Sequence, residues 1–89
     1  MEFGSLRFHH QILYKGKIIT YQISGDGRDF FVERFQDNEI DENLFPISFD
    51  IGKVNNRIRS SISNSDLKKE IEAKIQSYLD EKGIRWLSH

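Results

Sequence analysis

His9 and His10 are the first residues of this chain whose types invite chemistry, because paired imidazoles are a common way to hold zinc. They stand inside a segment whose apolar residues alternate, and on a strand neighbouring side chains project to opposite faces. Two such rings cannot share an ion without a bulge, so both read as ordinary strand histidines, with His10 placed to lie beside Tyr21. His89 stands alone near the C-terminus and reads as an untethered end residue. The run DNEIDEN at 37–43 gathers Asp37, Glu39, Asp41 and Glu42 with the spacing that begins a calcium loop. The pattern fails where it is most specific: Glu42 stands where the sharp-turn glycine belongs and Ser48 where the bidentate acid belongs. It reads as a solvated acidic loop. Gly25-Asp26-Gly27 lies between two strands, whereas phosphate loops precede a helix whose N-terminus holds the anion. No Gly-x-Ser-x-Gly frame is present and cysteine is absent. The expectation is therefore a protein that is not an enzyme, with no catalytic residue, no metal ligand and no cofactor.

Two surfaces remain as candidates. Lys53, Arg57 and Arg59 fall among Asn55, Asn56, Ser60 and Ser61, a composition suited to phosphate contacts, and a meander backed by a helix is a shape that some DNA-binding domains use. The second surface is apolar: Leu13, Ile18, Phe31, Phe35 and Leu44 are placed to share the sheet face turned away from the helix, and large exposed apolar patches mark interfaces. The leading expectation is a noncatalytic interaction module that self-associates as a homodimer or docks a protein partner through that free face or an edge strand. The alternative is a nucleic-acid-binding domain that uses the basic residues around 53–59. An equally open structural outcome is that Leu6, Trp86 and Leu87 cover the face from within the chain.

The elements that must position these residues are legible from periodicity. FHHQILY at 8–14, the pair Lys15-Gly16 and KIITYQI at 17–23 form a two-residue hairpin in which Tyr14 faces Lys17. That register collects Phe8, His10, Ile12, Ile19, Tyr21 and Ile23 on one side, and a slip of one residue would invert it. DFFVERF at 29–35 is the third strand, of open register, with Phe31 and Phe35 on one face and Phe30 and Val32 on the other. LFPISFDI at 44–51 is the fourth, with Phe45, Ile47, Phe49 and Ile51 together and Pro46 requiring an edge or a strand start. Residues 57–62 are either a short fifth strand or a crossing loop. Residues 65–83 carry Leu67, Ile71, Ile75, Tyr78 and Leu79 on one helical stripe. Ser63 or Ser65 is the expected cap, Glu70 and Lys74 an expected outward pair, and Gly83 the expected left-handed stop. The fold class is thus α+β: an antiparallel meander of four strands, or five, with one C-terminal helix packed on one face, and with Ile84, Trp86 and Leu87 folding back.

Bulk properties bound the rest. Met1 to Ser5 reads as a cloning scar, since Glu-Phe and Gly-Ser are what two common cloning sites encode, which leaves residues 6–89 as one small domain. The native start is then out of view, and an intracellular setting is only a default. Among 89 residues there are 13 Lys and Arg against 14 Asp and Glu. Acids and bases also balance within 6–59 and within 60–89, so the chain as a whole exerts no pull on a polyanion or an anionic membrane. No run approaches the roughly 18 apolar residues of a membrane span. Seven Phe, three Tyr and one Trp supply large apolar areas to a core that has no disulfide behind it.

Overall fold

A computed structural model describes residues 6–35 and 41–89. The proposed scar at 1–5 and the acidic positions Asp37 and Glu39 lie outside the described residues. Five strands, β1 (Leu6–Tyr14), β2 (Lys17–Gly25), β3 (Asp29–Arg34), β4 (Ser48–Val54) and β5 (Arg57–Ser60), form one antiparallel sheet in sequence order, followed by α1 (Ser65–Lys82). This is an α+β fold. Among the described residues no helix is long and apolar enough to cross a membrane.

The β1–β2 register is the one that the alternation requires, with Tyr14 opposite Lys17, Ile12 opposite Ile19 and Phe8 opposite Ile23. Lys15 and Gly16 both adopt positive φ, 50° and 77°, the two-residue turn whose twist matches paired strands. A second turn of the same kind decides residues 57–60. Asn55 and Asn56 take φ of 53° and 63°, which asparagine tolerates, and they fold Arg57–Ser60 back onto β4 as a true fifth strand. At the start of β3, the Asp26 carboxylate accepts the Arg28 and Asp29 amides, each at 2.9 Å. Those two bonds hold the Asp26 carboxyl below its ordinary value. Phe30, Val32 and Arg34 then face inward, and Phe31 and Glu33 outward.

The fourth strand begins later than its sequence pattern predicts, at Ser48 rather than Leu44, and runs on to Val54. The cause is Arg34, a buried guanidinium that needs acceptors. Its Nη1 donates to the Phe45 carbonyl at 2.7 Å and its backbone amide to the Ile47 carbonyl at 2.7 Å. Tyr21 Oη donates to the Pro46 carbonyl at 2.8 Å. The two side-chain bonds take the Phe45 and Pro46 carbonyls out of the expected ladder and leave Pro46 ahead of the strand. Phe45 is buried edge-on to Tyr14, at 4.9 Å between centroids, whereas Ile47, expected inside, is 50% exposed.

Helix α1 buries Leu67, Ile71, Ile75 and Leu79 against the inner sheet face, and Tyr78 stacks on Phe8 at 3.9 Å. Asn64, rather than either neighbouring serine, caps it. Its side chain accepts from the Asp66 and Leu67 amides and also donates to the Leu44 carbonyl at 2.8 Å, a link to the incoming loop that a serine is too short to combine with capping. Glu70, expected to pair with Lys74, bonds His10 Nε2 at 2.7 Å and so ties the helix to β1. Gly83 stops the helix at φ 69°, ψ 28°, with the Gly83 and Ile84 amides returning to the Asp80 and Leu79 carbonyls.

Beyond the helix the chain folds back. Trp86 is buried edge-on to Phe30, and its Nε1 donates to the Arg28 carbonyl at 3.1 Å. His89, read from the sequence as untethered, is held on both sides. Its amide donates to the Lys53 carbonyl at 2.9 Å, its carbonyl accepts from Asn55 at 3.1 Å, and its ring Nε2 meets both Asp29 carboxylate oxygens at 2.8 Å. It occupies the stretch of β4 beyond Gly52, the last residue of β4 that β3 pairs with.

Candidate interaction surface

Because side chains alternate along a strand, the register that buries the inner face also dictates what the outer face presents. Leu13 lies opposite Ile18 at the β1–β2 turn. Phe35 extends the β3 pairing by one step, its amide donating to the Thr20 carbonyl at 2.9 Å, and its ring rests 5.1 Å from that of His9. Leu13, Ile18 and Phe35 are 75%, 54% and 57% exposed, so this end of the outer face is apolar and uncovered. Next along the sheet comes a polar band in which His9 faces Gln22, Gln22 faces Glu33 and Glu33 faces Ser48. Phe31, 42% exposed, lies beyond that band between Ser24 and Asp50. The apolar side chains therefore form one group of three and one outlier.

Leu44 is not in a strand. It sits in the turn before β4, with its carbonyl bonded to the Asn64 cap. The residues that could have covered the outer face do not do so: Leu6 and Trp86 pack with the inner core, and Leu87 is exposed. The two strands at the sheet margins differ. β1 runs nine residues in unbroken register with no proline, while β5 is four residues long and bears Arg57 and Arg59. Short edges dense in charge resist pairing with other chains, whereas β1 carries one residue of fixed charge, Arg7, in nine.

The structure does not gather the basic residues into one cluster. Lys53 shares the inward parity of Phe49 and Ile51, and its Nζ lies 4.7 Å from the centroid of the Trp86 ring. Arg59 faces Gly52 and Arg57 faces Val54, both on the outer side. His9 and His10 point to opposite faces, the first beside Phe35 and the second to Glu70. Among the described residues no group of three or more His, Cys, Asp or Glu could hold a metal ion.

Sequence reasoning missed the Asp29–His89 contact and the buried Arg34. It ended β4 at Ile51, which hid the pairing of Lys53 with Ile58 and the place where His89 attaches. The signal available was Asn55-Asn56, a dipeptide suited to a two-residue turn, which implies strands up to Val54 and from Arg57. No family model matches the chain, and no curated protein or solved structure matches it significantly.

Proposed function

We propose that this domain is a noncatalytic interaction module that docks a protein surface, a second copy of itself in the first instance, through the outer sheet face. The observation that supports the reading is the uncovered group Leu13, Ile18 and Phe35, on the sheet face opposite α1. Burial of such side chains contributes about 25 cal/mol per Å² before association costs. Two copies of a chain with balanced charge do not repel each other at long range, and apolar groups related by a two-fold axis are complementary to themselves. The molecule measures 38 × 25 × 19 Å, so its broad face has room for an interface of the usual size, roughly 800 Å² per partner. The uninterrupted β1 edge lies beside Leu13 and can extend the same contact.

Nucleic-acid binding through Lys53, Arg57 and Arg59 has less support. With the Lys53 ammonium over Trp86, two guanidiniums remain outward, and each phosphate neutralised adds only about one to the log–log salt slope. Amide spectra recorded over a dilution series test the proposal. Concentration-dependent shifts centred on Leu13, Ile18 and Phe35 are expected, and shifts confined to Arg57 and Arg59 on adding duplex DNA would favour the alternative.

A further inference from the structure

At the far end of the outer face from Leu13, where β3, β4 and β5 meet, a groove of about 850 Å³ opens above Gly52, lined among others by Phe31, Asp50, Val54, Arg59 and Ser61. The register explains it. Asp29, Gly52 and Arg59 stand side by side in one row across the three strands, and glycine leaves the middle of that row without a side chain. The position does not accept one readily, since a Cβ on Gly52 would stand 2.7 Å from Asp29 Oδ1. Asp29 is fixed as one wall by its two contacts with His89.

Asp50 and Arg59 are left. They are diagonal neighbours across β4 and β5, a relation that separates side-chain origins by roughly 7–8 Å. Both are exposed, and among the described residues the ion pairs are His10–Glu70 and His89–Asp29, with neither Asp50 nor Arg59 in one. An acid and a base of the same face thus flank an open trough without neutralising each other, and Phe31 adjoins Asp50 on the next strand.

We propose that this groove binds a zwitterion, an α-amino acid with an apolar side chain. Its ammonium would sit on the Asp50 carboxylate, its carboxylate on the Arg59 guanidinium with the Ser61 hydroxyl adjacent, and its side chain against Phe31. Arg59 suits a carboxylate because its planar fork donates two parallel bonds. A simple anion would meet the Asp50 carboxylate and a simple cation the Arg59 guanidinium, whereas a ligand carrying both charges satisfies both walls. Each residue added between the two charges lengthens the ligand by about 3.5 Å, which disfavours peptides. The site lies at the other end of the outer face from the apolar group at Leu13.

The test is titration of the intact domain with L-phenylalanine, followed by amide shifts, with N-acetyl-L-phenylalanine and L-phenylalaninamide as probes that each lack one charge, and a dipeptide as the longer zwitterion. Saturable shifts at Phe31, Gly52 and Arg59 with a millimolar dissociation constant are expected, weakened about tenfold or more in either one-charge probe and in the dipeptide. Arg59→Gln and Asp50→Asn, both exposed positions whose variants are checked for unchanged spectra elsewhere, should each weaken binding by a similar factor, and Leu13→Glu should not. Absence of saturation up to about 50 mM, well above the millimolar range, equal binding of the one-charge probes, or unaltered binding in both groove variants overturns the proposal. Tighter binding of the dipeptide would overturn the assignment to a free amino acid.

Discussion

Tyr21 shows how much one polar atom in the core directs. The ring is fully buried and its hydroxyl has a single partner in the Pro46 carbonyl. Burial pushes its ionisation from the usual value near 10 up to about 12, against a smaller opposing pull from Arg34. Because the folded state holds the neutral form, this contribution is complete below pH 10 and is lost as pH rises through about 12. Chemical denaturation between pH 8 and 12 should show stability declining above pH 10, and Tyr21→Phe should flatten that decline while costing about 0.5–1.5 kcal/mol at neutral pH. An unchanged slope in the variant would show that another group titrates. Tyr21 was readable from alternation as an inward residue, as were its neighbours Ile19 and Ile23. Arg34 was not, because a charged residue at the end of a strand is ordinarily solvated, and the Phe45 carbonyl that accepts from its guanidinium lies in the turn before β4.

At the level of elements, local patterns that are complete in themselves were legible and those that depend on distant partners were not. The β1–β2 hairpin and α1 carry their own periodicity, turn residues and stop signal. The start of β4 depends on Arg34, and the helix cap on the chance that Asn64 also reaches Leu44. The helix lays four fully buried or nearly buried side chains on the inner face, so Ile75→Ala, at a fully buried site, should cost about 2–5 kcal/mol in urea unfolding. A loss below about 0.5 kcal/mol would place Ile75 outside the core. Asn64→Ala removes both the cap and the link to Leu44 and should cost about 0.5–2 kcal/mol. Serine there ought to recover only part of this, and full recovery by Asn64→Ser would show that the Leu44 link contributes nothing. In the opposite direction, Asn56 already holds φ 63°, a conformation that glycine adopts without strain. Asn56→Gly should therefore keep the β4–β5 hairpin and hold or raise stability by a few tenths of a kcal/mol, because Asn-Gly is the preferred pair for this turn. A measured loss would contradict the turn assignment.

At the largest scale one arrangement governs the rest: among the described residues, a five-stranded meander with a single helix has one face too many to cover. The candidate surface was legible as far as alternation reaches, since Leu13, Ile18, Phe31 and Phe35 all face outward. Two features were not legible. The polar band that sets Phe31 apart follows from the β2–β3–β4 register, and the absence of Leu44 from the sheet follows from the late start of β4. Both reduce the apolar area available, and a face whose apolar part is a group of three side chains at one end predicts association in the micromolar to millimolar range.

The mass of the domain in solution, measured by light scattering over a concentration series up to about 1 mM, decides whether the outer face pairs two copies. A rise from monomer towards dimer is expected in the parent chain, little affected by salt, with a folded monomer throughout for Ile18→Lys, which alters the outer face and leaves the inner core intact. A parent chain that stays monomeric across the whole series, or an Ile18→Lys variant that associates as the parent does, would contradict that pairing.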